Sequence, residues 1–89
     1  MAEVENRETV MLLTDHYRLL GQMRIGPDGT LWDFKHRAAD DFVTLYEAQC
    51  FRLSDGKRMY DATSMEVSRR AVEAVFRQKD LAFVRKETQ

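Results

Sequence analysis

Between Tyr17 and Ile25 the chain alternates. Tyr17, Leu19, Gly21, Met23 and Ile25 fall on one side of an extended backbone and Arg18, Gln22 and Arg24 on the other, with Leu20 the exception. A period of two with one apolar side defines a half-buried strand. Gly21 inside it predicts a bend or a close backbone approach, as a tightly curved sheet requires. Such a strand needs neighbours and a core beneath it, and the flanking sequence supplies candidates.

Upstream, Thr9-Val10-Met11-Leu12-Leu13-Thr14 is an apolar run of strand length, and Asp15-His16 turns the chain between the two strands. Downstream, Gly26-Pro27-Asp28-Gly29 is a turn, with Pro setting φ at its start and Gly supplying a positive φ at its end. Thr30 then caps a short helical piece, Leu31 to Arg37, carrying Trp32 and Phe34, and Asp40-Asp41 ends it. Phe42 to Leu53 is long, aromatic and β-favouring. Its apolar positions change phase, from Val43 and Leu45 to Tyr46, Ala48 and Cys50 and then to Phe51 and Leu53, which predicts a bulge or sharp bend. Ser54-Asp55-Gly56-Lys57 is an Asp-Gly hairpin signal, and Arg58 to about Val67 is the return strand.

The stretch from Ser64 to Phe83 reads two ways. Val72, Val75, Phe76 and Lys79 stand at helical spacing behind a capping Ser68, and helix propensity favours that reading. Alternatively, Met65-Glu66-Val67 ends one strand, Ser68-Arg69-Arg70-Ala71 is a tight turn and Val72 to Phe76 is a last short strand.

Composition limits the functions such a chain can carry. At 89 residues, 44% hydrophobic and 33% charged, it is one globular domain. A chain of this size buries only roughly 60–65% of its unfolded surface, which leaves little room for a deep cavity and makes self-association a route to further burial. The net charge of −1 gives no bulk attraction to nucleic acid or anionic lipid. One cysteine, Cys50, excludes an internal disulfide and a Cys-rich zinc site. No stretch is apolar enough to span a bilayer, and Met1-Ala2-Glu3-Val4-Glu5 lacks the order of a secretion signal, so a cytoplasmic protein is expected.

The order of elements supports the second reading of the C-terminal stretch. Val10-Met11-Leu12-Leu13 leading into Leu19-Leu20-Gly21-Gln22-Met23, a long bent strand, a hairpin, and Val67, Val72 and Val75 in a compact ending resemble an Sm-like small β-barrel. Leu31-Trp32-Asp33-Phe34, Asp41-Phe42-Val43-Thr44-Leu45 and Val67-Ser68-Arg69 resemble, more specifically, a group of small bacterial Sm-like proteins of unknown function. The likeness covers residues 8–78 through loose apolar patterns. It implies a five-stranded, strongly bent antiparallel Sm-like or SH3-like barrel with a short helical insert before the third strand. The expected division is an N-terminal tail (1–7), a barrel domain (8–80) and a C-terminal tail (81–89). The chain departs from RNA-binding members of the family, whose loop Asn and Arg-Gly pair hold a base: its only Asn is Asn6, and its turn, Ser68-Arg69-Arg70, has no Gly.

No residue pattern points to catalysis, a cofactor or a metal. His16 and His36 lie in unrelated segments without ligand spacing, and Cys50 has no histidine near it in sequence and reads as a buried thiol. Asp40-Asp41 reads as a solvated loop pair, and no glycine-rich phosphate cradle exists. The expected function is a non-catalytic interaction module that self-associates through strand edges into a homo-oligomer, such as a ring, and binds a protein partner. The pairing residues would be Tyr60, Ala62, Met65 and Val67 on one strand and Val72, Ala74 and Phe76 on the other. Trp32 and Phe34, two apart on a helix, cannot face the same way; one would cover the open end of the barrel and the other is a candidate partner anchor, against the plainer reading that both are buried. The alternative function is RNA binding through Arg69 and Arg70, against the plainer reading of a solvated turn whose charge Glu66 and Glu73 partly cancel.

Overall fold

In the computed structural model, which describes residues 6–38 and 41–78, five strands and one short helix follow the predicted order. They are β1 (Arg7–Leu13), β2 (Tyr17–Arg24), α1 (Trp32–His36), β3 (Phe42–Arg52), β4 (Arg58–Ser68) and β5 (Ala74–Arg77), with a 3-10 turn, Arg69–Ala71, between the last two. They form one antiparallel sheet in the order β4-β3-β2-β1-β5. β1 starts at Arg7, inside the stretch read as tail; the segment 81–89 lies outside the described residues.

Alternation places the core as predicted. Val10 and Leu12, Leu19 and Met23, Val43 and Leu45, Ala48 and Cys50, and Val67 are all buried on one face. Leu31, Phe34, Met65, Val72 and Val75 pack around that cluster. The phase change in β3 falls at Glu47, whose φ of 51° is left-handed. Where β2 advances from Leu20 to Gln22, β3 retreats from Gln49 to Tyr46, so β3 carries one extra residue opposite Gly21. That is the close approach Gly21 foretold: a Cβ there would stand 2.6 Å from Leu45 Cγ and 2.9 Å from the Tyr46 carbonyl oxygen. A second register shift, between Cys50 and Phe51, adds a residue on the β4 side.

Both turns have the predicted chemistry. Gly29 (φ 83°) closes onto the Gly26 carbonyl at 2.9 Å, and Gly56 (φ 72°) closes the β3–β4 hairpin, where Asp55 accepts from the Lys57 amide at 3.0 Å. The helix is shorter than Leu31–Arg37, and Thr30 does not cap it. Leu31 is the N-cap and makes no side-chain bond, while the Thr30 amide and hydroxyl both donate to Asp28 Oδ1. Asp28 draws Thr30 into the turn before it can reach the helix.

From Met65 to Phe76 the chain is extended, reverses through the 3-10 turn and is extended again, so the helical reading fails. The physical reason is burial on both sides of the turn: Val67 pairs with Val43 and Val75 with Leu12 over the same core. Tertiary pairing outweighs the local helix preference of Arg, Glu and Ala.

The closure a barrel would need is not formed. β4 pairs with β3 and β5 with β1, and these two strands remain the edges of an open sheet. β5 has four residues and lies beside only Val10–Leu13.

Candidate functional site

Each edge strand has one row of amides paired inward and one facing outward, and the backbone bonds at the turns show which is which. Thr14 donates to the Tyr17 carbonyl and Ile25 to the Asn6 carbonyl, so even-numbered β1 residues face β2 and odd-numbered ones face β5. Ala74 and Phe76, opposite Leu13 and Met11, therefore turn their backbone groups inward, and Val75 and Arg77 turn theirs outward. Arg69 donates to the Asp41 carbonyl, which turns Val67 and Met65 inward and leaves Ser64, Glu66 and Ser68 facing out; past the irregularity at Glu47, where Arg52 donates to the Lys57 carbonyl, Ala62 and Tyr60 turn their backbone groups inward. Of the residues expected at the edge, Tyr60, Ala62, Met65 and Val67 lie on β4 and Ala74 and Phe76 on β5. Val72 lies before β5, packed against the core, and the Val67 side chain is buried.

The β4 edge differs from a finished one. Across the sheet, Leu12, Leu19, Cys50 and Tyr60 form one row on the core face through successive pairings. Leu12, Leu19 and Cys50 are 0%, 5% and 6% exposed, whereas Tyr60 is 64% exposed. The apolar row thus runs past its cover before it reaches the edge. A large exposed aromatic beside an unpaired row of amides is what a second strand would cover. Leu53 and Tyr17, also exposed, stand at the same end of the sheet, where the Leu53 amide donates to the His16 carbonyl at 2.9 Å.

The helix aromatics are not at either edge. Trp32 is half-buried, with the Arg24 guanidinium 4.5 Å from its ring and His36 stacked on it at 4.3 Å and 24°. Phe34 packs against the core and lies 5.6 Å from the Arg69 guanidinium. Neither is the bare anchor foreseen for one of them. The residue between them is the one sequence reasoning missed. Asp33, 1% exposed, accepts from Arg24 Nη2 at 2.6 Å and from the Thr44 amide at 2.8 Å. β2 and β3 stop pairing beyond Gln22 and Tyr46, and Asp33 supplies the acceptor that the diverging Thr44 amide has lost. The only signal in the sequence was an acidic residue between two aromatics.

Arg69 and Arg70 part company. Arg69 is half-buried, and its guanidinium donates to the Arg37 carbonyl; Arg70 is exposed. Arg70 shares an open hollow of about 350 Å³ with Thr14, Asp15, His16, Tyr17, Ala71 and Glu73. There, hydrogen bonding and repulsion from Asp15 hold the Glu73 carboxyl above its ordinary value. Burial pushes the Cys50 thiol up. His16 and His36 are exposed, in the β1–β2 turn and at the end of α1. Asp41 is exposed; Asp40 lies outside the described residues. Among the described residues no three His, Cys, Asp or Glu side chains gather as a metal site would require, and no helix is long and apolar enough to cross a membrane.

These features define a class: an open five-stranded antiparallel sheet with one short helix and two unlike edges. No protein-family model, curated protein or solved structure matches the chain.

Proposed function

We propose that this protein is a non-catalytic assembly module of Sm-like kind, in which the β4 edge of one copy receives the β5 edge of the next, and whose assembled surface binds a protein partner. The observation that carries the proposal is the Leu12–Leu19–Cys50–Tyr60 row, buried at three positions and bare at the edge. A strand laid along β4 would complete the amide ladder and cover Tyr60 together. The two edges are different strands, so the contact is head-to-tail, and such contacts close into rings when the rotation allows. A cytoplasmic setting fits this reading. RNA binding through Arg69 and Arg70 has less support, because Arg69 is engaged with Arg37 and Phe34 and only Arg70 is exposed.

Ser64→Pro tests the edge. The Ser64 amide faces outward, so proline there leaves the β3–β4 ladder its donors and removes one from any neighbour. Light scattering should show a smaller particle than wild type with an unchanged far-ultraviolet circular dichroism spectrum. An unchanged mass would defeat the proposal.

A further inference from the structure

The sheet has a second apolar face, opposite the core. Met11 pairs with Leu20 on one side and Phe76 on the other, and Leu13 pairs with Arg18, which in turn pairs with Phe51. These residues alternate with buried Val10, Leu12 and Leu19, and none of them packs against the core cluster. All are half-buried. The Arg18 guanidinium lies 4.8 Å from the Phe51 ring, and its Nε is shielded from solvent without a hydrogen-bond partner. Leu31 and Phe34 bring α1 onto the core side, and Val72 does the same for the turn after β4. Among the described residues, therefore, no second layer lies over Met11, Leu13, Leu20, Phe51 and Phe76.

The chain itself carries a segment suited to that face. The described residues end at Gln78, directly after β5, so the remaining chain leaves from the strand that carries Phe76. It continues as Lys79-Asp80-Leu81-Ala82-Phe83-Val84-Arg85, four apolar residues between charged pairs. Leu81 is three residues past Gln78 and Val84 six, reaches of about 10 and 20 Å. From β5 to β2 is two strand spacings, about 10 Å, and to β3 three, about 14 Å. The apolar tetrad is thus of a length to reach Phe76, Met11 and Leu20. Being tethered, it meets the face at an effective concentration that a separate chain would reach only near the millimolar range.

We propose that Leu81–Val84 docks on the outer face of β1, β2 and β5, over Met11, Leu20 and Phe76, and serves as the second layer of the sheet. The proposal does not depend on edge-to-edge assembly, since it concerns the face and not the edges.

The test is nuclear magnetic resonance on the full chain with labelled methyl groups. Cross-relaxation between the Phe83 ring and the Met11 or Leu20 methyls is the expected result. Phe83→Asp should remove it and move those methyl resonances, while those of Leu12, Met23 and Leu45 in the core stay put. Absence of any Phe83 contact to these methyls in the wild-type chain overturns the proposal, whether or not the variant folds. So do Met11 and Leu20 resonances that shift on dilution but ignore Phe83→Asp, for then a second copy covers the face. Particle mass by light scattering should be the same for Phe83→Asp as for wild type, which separates failure here from failure of edge assembly.

Discussion

Asp33 and Glu73 show how one carboxylate holds this fold and another strains it. Asp33 is buried and shared between Arg24 and the Thr44 amide, so it ties α1 to β2 and β3 at the point where those strands separate. Breaking a buried ion pair at one partner costs roughly 3–5 kcal/mol. Arg24, at 27% exposure, keeps contact with water and lowers that figure. Asp33→Asn should therefore cost about 2 kcal/mol, read as a lower urea midpoint with an unchanged slope. Glu73 is the opposite case. Its folded-state pKa is raised above 4.5 by Asp15, so the fold prefers it protonated. Its contribution to stability is whole below the unfolded value and disappears as pH climbs through the raised one. Glu73→Gln keeps a hydrogen-bond donor facing Asp15 and cannot ionise. A melting temperature above wild type at neutral pH, with the difference vanishing well below pH 4.5, is the expected outcome; equal curves across that range would remove Asp15 as the cause.

At the level of elements, two features face each other across β2 and β3. β3 carries its extra residue at Glu47, and β2 answers with Gly21, the one residue lacking the Cβ that would collide. The nearer obstacle, Leu45 Cγ at 2.6 Å, belongs to a side chain that can shift; the Tyr46 carbonyl at 2.9 Å is backbone and cannot. Gly21→Ala should accordingly cost about 1–3 kcal/mol by overpacking, seen as an earlier unfolding transition in urea. The alternation of β2 and the phase change of β3 were legible along the chain because each is a local pattern of apolar positions. That the glycine of one would stand against the bulge of the other depends on register, which no local pattern contains.

For the whole molecule, the open sheet is the governing feature. A short β5 and a long β4 leave two unlike edges, and the core face is bare at Tyr60. If copies join there, folding and association are linked, and the melting temperature should rise with protein concentration. Ser64→Pro should abolish that rise. A wild-type midpoint independent of concentration over a hundredfold range would speak against edge association as a source of stability.

By itself, the order of residues determined the strands, the two glycine turns, the short helix before β3 and most of the core, because period-two burial and turn chemistry are properties of neighbours along the chain. Local propensity left the Met65–Phe76 stretch divided between helix and strands, and the order of elements favoured the strands. The physical cause lies in Val43 and Leu12, in strands distant in sequence, which draw Val67 and Val75 onto one core. The tertiary structure alone also decided that the sheet stays open, that Asp33 is buried and that Arg69 is spent on Arg37. Each of these rests on where a partner from another element stands, and long-range pairing leaves no mark on the spacing of the residues that take part in it.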